Sequence, residues 1–101
     1  MYQKKEIHAG LEEMKLVPNA LLVDVRNPSE YDGGHIPGSV NFALSRILQE
    51  AEAEFSDKSQ PLYVYCQSGA RSARAGKLLE LLGYESITDL GGIADYNGPK
   101  E

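Results

Sequence analysis

Two stretches of this chain, "ALLVDV" at 20–25 and "LYVY" at 62–65, are apolar at almost every position. Successive side chains of a strand point to opposite sides, so a strand apolar throughout needs cover on both faces of its sheet. Helices supply that cover in parallel sheets, and the chain around these runs carries the spacing of amphipathic helices. Leu44, Ile47, Leu48, Ala51 and Phe55 recur at steps of three and four, with Gln49, Glu50 and Glu52 turned to water. After the second run, Ala75, Leu78, Leu79 and Leu82 repeat the pattern while Arg74, Lys77 and Glu80 take another face. Gly83 then offers a left-handed stop. "SVNF" at 39–42 and "SITDL" at 86–90 read as weaker strands, and "EIH" at 6–8 as a brief N-terminal one. The alternation predicts a single α/β domain over residues 1–101, with a central parallel sheet of about five strands flanked by helices on both faces and joined by right-handed crossovers. Its core is expected over about 5–96, with 97–101, "NGPKE", as a polar tail.

Bulk properties narrow the function. A chain of 101 residues with 42% hydrophobic residues suffices for one self-sufficient core. Its net charge of −5 argues against nucleic acid and anionic membrane surfaces as partners, since both reward a basic face. No apolar run approaches the ~20 residues that cross a bilayer. The opening "MYQKKEIHAG" has basic residues without an apolar segment behind them, which points to the cytoplasm, or to the periplasm if a leader had been removed. The one cysteine, Cys66, has no partner for an internal disulfide, and with His8 and His35 alone it cannot make a zinc site of the usual cysteine-rich kind.

A free cysteine is commonly a small buried hydrophobe, so its surroundings must decide its role. Cys66 ends the second apolar run, where parallel sheets bind ligands beyond their strand ends. The residues that follow, "QSGAR", are small or polar, and Gly69 permits backbone angles that let consecutive N–H groups curl toward one centre. Residues 59–79 include Arg71, Arg74 and Lys77 and no acid, against the sign of the whole chain. A helix N-terminus and nearby arginine stabilise a thiolate and attract an anionic substrate, so one loop answers both needs of a nucleophilic sulfur. The expectation is a sulfur both ionised and reachable.

Three motifs together resemble the rhodanese-like sulfurtransferase domain over residues 20–96. "LLVDVRNPSEYDGGHIPGSVNF" is similar to its first signature, "YCQSGARSARA" to its active-site loop, and "LGYESITDLGGIADY" to its closing Gly-Gly segment. The resemblance implies that the Cys66 thiolate attacks the outer sulfur of thiosulfate or a similar small anionic donor, releases sulfite and holds the sulfur as a persulfide. A thiol, a protein sulfur acceptor or cyanide then takes it. By the same resemblance the amides of Gln67, Ser68, Gly69, Ala70, Arg71 and Ser72 cradle the persulfide, the Arg71 side chain helps hold the donor, and no metal or organic cofactor takes part. Two positions depart from the pattern: Gln67 stands where many members have arginine, and Tyr96 where many have tryptophan. A compact exported member ends in the same abbreviated way, which keeps the periplasm open.

Asp24, at a strand end, reads as support for the active-site rim, and Arg26 either shares that duty or points into the mouth of the pocket. Glu30 reads as a loop brace and His35, among Gly33, Gly34, Pro37 and Gly38, as part of a tight turn rather than a base for Cys66. Tyr63 and Tyr65 read as core, with Tyr65 a second candidate for the pocket wall, and Arg74 and Lys77 as a solvated helix face. Two other functions compete. A sulfur carrier or protein-binding module with little turnover is favoured by the neutral Gln67. A cysteine phosphatase is disfavoured, because a Cys-x5-Arg cradle needs five intervening residues and Arg71 follows Cys66 after four.

Overall fold

The computed structural model describes all 101 residues. Five strands form one sheet in the order β1-β5-β4-β2-β3, and every neighbouring pair is parallel. They span Tyr2–Lys4 (β1), Leu21–Asp24 (β2), Val40–Asn41 (β3), Leu62–Cys66 (β4) and Ile87–Gly92 (β5). The helices are Ile7–Met14 (α1), Pro28–Asp32 (α2), Ile47–Glu54 (α3) and Ala70–Leu81 (α4), with 3-10 turns at Leu44–Arg46 and Ile93–Asp95. Central β4 is buried at all five positions, which is why its sequence is apolar without alternation.

Alternate residues of the central strands feed two separate cores. Leu22, Tyr63, Tyr65 and Leu90 pack with Ile7 of α1 and with Ile36 and Ile93. Val23, Val25, Val64, Cys66 and Ile87 pack on the other face with Ile47 and Ala51 of α3, Ala75 and Leu79 of α4, and Tyr84. Each fully buried aliphatic side chain contributes roughly 1.5–3 kcal/mol, so the two layers together clamp the sheet between its helices. β4 therefore ends at a fixed height, and the loop that follows it is presented on a rigid base.

Two expectations need correction, and a third gains detail. "EIH" is the start of α1 rather than a strand: the Glu6 carboxylate accepts from the His8 and Ala9 N–H groups, both at 3.0 Å, and caps the helix. The first strand is instead Tyr2–Lys4, an edge strand whose two exposed residues gave no apolar signal. Within the 44–55 helix, Ile47, Ala51 and Phe55 are buried but Leu48 is 57% exposed. The 3-10 turn at its start winds at three residues per turn, so the face read from Leu44 drifts and Leu48 turns to water. Residues 97–101 are polar and largely exposed, and their end is held in place. Glu101 N–H donates to His35 O at 2.8 Å and His35 N–H to Glu101 O at 3.0 Å, which pins the chain end against the glycine-rich turn.

Candidate active site

Cys66 is the last residue of β4, beside Gly92 of β5. Its Sγ accepts a hydrogen bond from Gly69 N–H at 3.0 Å. Gly69 makes this possible with φ of 103°, a left-handed angle that turns the chain back over the sulfur before α4 begins. The N–H groups of Gln67, Ser68, Ala70, Arg71 and Ser72 donate to no protein atom. Those of Ala70, Arg71 and Ser72 belong to the first turn of α4, where intrahelical acceptors do not exist. The loop thus offers a set of free donors at the positive end of a helix dipole.

The other side of the loop is held firmly. Ala94 N–H donates to Gln67 O at 3.1 Å, and Ser72 Oγ donates to Gly69 O at 3.1 Å and to Gly91 O at 3.3 Å. Gly92 lies flat against the loop backbone: a Cβ there would stand 2.4 Å from Gln67 O and 2.6 Å from Ser68 Cα. Gly92 is thus a positioning residue that sequence reading left unassigned, although "LGG" already signalled a close backbone approach.

Asp24 and Arg26 form a buried pair at the end of β2, with side-chain exposures of 0% and 5%. Asp24 Oδ2 accepts from Arg26 Nη2 at 2.7 Å, and Oδ1 accepts the Arg26 backbone N–H at 2.8 Å. Burial works against the Arg26 charge, but the bonds to Asp24 prevail and hold its pKa above the ordinary arginine value. The same guanidinium donates to Gly34 O at 2.8 Å and to Gln67 Oε1 at 3.3 Å. Of the two readings open for Arg26, the geometry favours support: it ties the cysteine loop to the glycine-rich turn.

Arg71 has a partner that the sequence did not announce. Its guanidinium forms a two-bond pair with Glu30 of α2, at 2.7 and 2.9 Å. Glu30 also accepts from Asn27 N–H at 3.0 Å, and so does brace a loop. The bond to Arg71, then that from Asn27, lowers the Glu30 pKa to about 2. Arg71 is raised in turn, chiefly by Glu30 and to a lesser degree by attraction to a Cys66 thiolate. Arg74, one turn along α4, is exposed and has no carboxylate partner, unlike Arg26, Arg46 and Arg71. With Ala70 and Arg71 it lines an open groove of about 590 Å³ whose apolar walls are Leu44, Leu48 and Leu78.

The remaining candidates fall outside the site. His35 stacks on Tyr31 with ring centroids 3.7 Å apart and donates from Nδ1 to Tyr31 O at 2.9 Å, so it braces the turn. Tyr65 belongs to the core: its hydroxyl accepts from Ile36 N–H at 3.1 Å and bonds Ser39 Oγ at 3.0 Å, and burial pushes its pKa to about 12. Lys77 sits over the Tyr2 ring, 5.6 Å from its centroid. The expected reachability of the sulfur needs revision. Cys66 keeps 1% of its exposure and counts among the core residues, because the tight loop closes over it. In the loop that covers it, Gln67, Ser68 and Ala70 are exposed.

Comparison with known proteins places these features in context. The rhodanese-like domain family model matches residues 4–98. The chain is 42% identical over 96 residues to the uncharacterized protein YqhL of Bacillus subtilis, covering 94% of this chain and 70% of that one. It is 32% identical over 78 residues to the thiosulfate sulfurtransferase PspE of Escherichia coli, covering 77% and 75%. Among solved structures, the rhodanese-like domain of the Anabaena protein Alr3790 superposes with a TM-score of 0.84 at 27% identity, over 97% of this chain and 77% of that one.

Proposed function

Because the chain belongs to the rhodanese-like domain family, we propose that it is a sulfurtransferase working through a persulfide on Cys66, with thiosulfate or a similar sulfane compound as donor. The observation that carries this reading is the Cys66 sulfur at the end of β4, bonded by Gly69 N–H at 3.0 Å and followed by amides that no protein atom uses.

The chemistry needs little from side chains. A thiolate attacks the outer sulfur of thiosulfate, the S–S bond breaks with its electron pair on sulfite, and the outer sulfur stays on Cys66 as an anionic persulfide. Three negative charges enter and three remain, so no proton has to move and no base is needed. That agrees with the absence of a histidine beside the sulfur. The terminal sulfur of the persulfide carries the charge one bond further out than the thiolate did. Free N–H groups from Gln67, Ser68, Ala70, Arg71 and Ser72 suit that displaced charge, as preorganised donors suit any charge that develops during reaction. Asp24 and Arg26 keep the rim in place. In the second half-reaction a thiol or cyanide attacks the terminal sulfur and restores the thiolate.

A second reading, a sulfur carrier that is loaded and unloaded by partner proteins, is favoured by the 1% exposure of Cys66 and by the neutral Gln67. Steady-state assay with thiosulfate and cyanide decides between them. Thiocyanate and sulfite formation that disappears in Cys66→Ser supports the enzyme. Loading of Cys66 by a persulfide-bearing protein without turnover of thiosulfate supports the carrier. Aryl phosphate hydrolysis dependent on Cys66 would overturn both.

A further inference from the structure

The arginines nearest the sulfur are already neutralised. Arg26 is paired with buried Asp24, Arg71 is held by Glu30 through bonds of 2.7 and 2.9 Å, and Gln67 has no charge to add. The one arginine without a carboxylate partner, Arg74, lies in the exposed groove a turn further along α4. An anionic donor is attracted by an arginine in proportion to the donor's charge. A carboxylate in direct contact with that arginine repels it in the same proportion, so the pair cancels most sharply for a dianion.

We infer that Glu30 sets the donor class of this site, favouring sulfur donors with one negative charge, such as organic thiosulfonates and low-molecular-weight persulfides, over the dianion thiosulfate. This rests on the sulfurtransfer reading above. Glu30 acts through Arg71 and is a specificity-setting residue, not one that touches the reacting sulfur. Its position is fixed at two points, Arg71 on one side and Asn27 N–H on the other. With its pKa lowered to about 2, mainly by Arg71, it remains a carboxylate throughout the working pH range. The favoured step balances as the thiosulfate step does. The thiolate takes the terminal sulfur of R–SO2–S−, the S–S bond breaks with its pair on the sulfinate R–SO2−, and two negative charges are present before and after.

The test is Glu30→Gln, which keeps the shape of the side chain and an oxygen to accept from Asn27 N–H while removing the charge. Thiosulfate and benzenethiosulfonate serve as donors and cyanide as acceptor. Removing a unit charge ~6 Å from the donor in a water-like dielectric changes a monoanion's affinity about threefold and a dianion's about tenfold. The KM for thiosulfate should therefore fall about tenfold and that for benzenethiosulfonate about threefold, with kcat for each donor within about twofold of wild type. A loss of structure would move both donors alike, so equal changes, or none, overturn the inference. A salt series stands beside it. Between about 0.02 and 0.5 M salt, kcat/KM for thiosulfate should fall less steeply in the unaltered protein than in Glu30→Gln, because Glu30 cancels part of the attraction that salt screens. A fall as steep in the unaltered protein as in the variant overturns the inference. Intact mass keeps the two readings apart: a persulfide formed from both donors with charge-blind KM values defeats the inference alone, and no persulfide from either defeats the sulfurtransfer reading with it.

Discussion

Beyond β2 the polar groups satisfy one another, whereas beyond β4 they are left open. Asp24 takes both the backbone N–H and the guanidinium of Arg26, the guanidinium goes on to Gly34 O and Gln67 Oε1, and Asn41 Nδ2 donates to the carbonyls of Asp24 and Arg26. At the end of neighbouring β4, five of the six amides of residues 67–72 have no protein acceptor. Proteins pair their buried polar groups wherever they can, so the closed set is a frame, and the set left open to solvent has the donors that the proposed persulfide would use. The two segments meet through side chains at two places, Arg26 to Gln67 at 3.3 Å and Glu30 to Arg71 at 2.7 and 2.9 Å.

The comparison is broken most completely at the sulfur. Cys66→Ser should leave the fold intact and lower sulfur transfer at least about a thousandfold, because a serine hydroxyl is not ionised there and cannot hold a sulfane sulfur. Thiocyanate production checks this, and a melting curve confirms that the loss is chemical. On the closed side, Arg26→Ala strands the Asp24 carboxylate at 0% exposure without its cation. That should cost ~3–5 kcal/mol in urea unfolding, more than any change to a surface pair such as Arg46 with Glu50.

Much of this contrast can be seen in the sequence, and part of it cannot. The unbroken apolar character of Leu62–Cys66 reflects a strand enclosed on both faces, and "QSGAR" after it marks the sharp turn at the sulfur. Gly69, ahead of the apolar spacing that starts at Ala75, also suggests the free amides of a helix start. Invisible in the sequence is the pairing across distant segments: Glu30 with Arg71 is separated by 41 positions, and nothing local announces that one will cancel the other. The same holds for Glu101 against His35, a contact between the polar tail and a distant turn. Helix α1 was hidden for another reason, since its cap is a glutamate and its first turn, Ile-His-Ala, alternates as a strand would. The burial of Cys66 could not be read at all, because exposure depends on how closely a glycine-rich loop folds over what precedes it.

Smaller changes sharpen the boundary between the two loops. Gly92→Ala forces a methyl group into Gln67 O, which would lie 2.4 Å away, so the loop must move. The stability cost should be ~1–3 kcal/mol, with persulfide formation slowed about a hundredfold, since displacing a reacting group by an ångström is enough to do so. Mass spectrometry after a short donor pulse reads the rate. The smallest effect is on acid stability. The folded-state pKa of Glu30 is lowered to about 2 by Arg71 and Asn27, from an ordinary value of 4.5. A lowered carboxylate pKa stabilises the folded chain above the ordinary value, and that contribution is lost as pH falls through the window from 4.5 to about 2. After solvent screening it amounts to under about 1 kcal/mol, and Glu30→Gln should flatten the unfolding profile across that window by this amount.

The most direct test of the account is the intact mass of the protein after incubation with a sulfane donor and removal of excess reagent. With one cysteine in the chain, a gain of a single sulfur atom, reversed by cyanide and absent in Cys66→Ser, is the predicted result. An unchanged mass, or a gain that persists in the serine variant, would mean that the open amides beyond β4 do not hold a sulfur on Cys66.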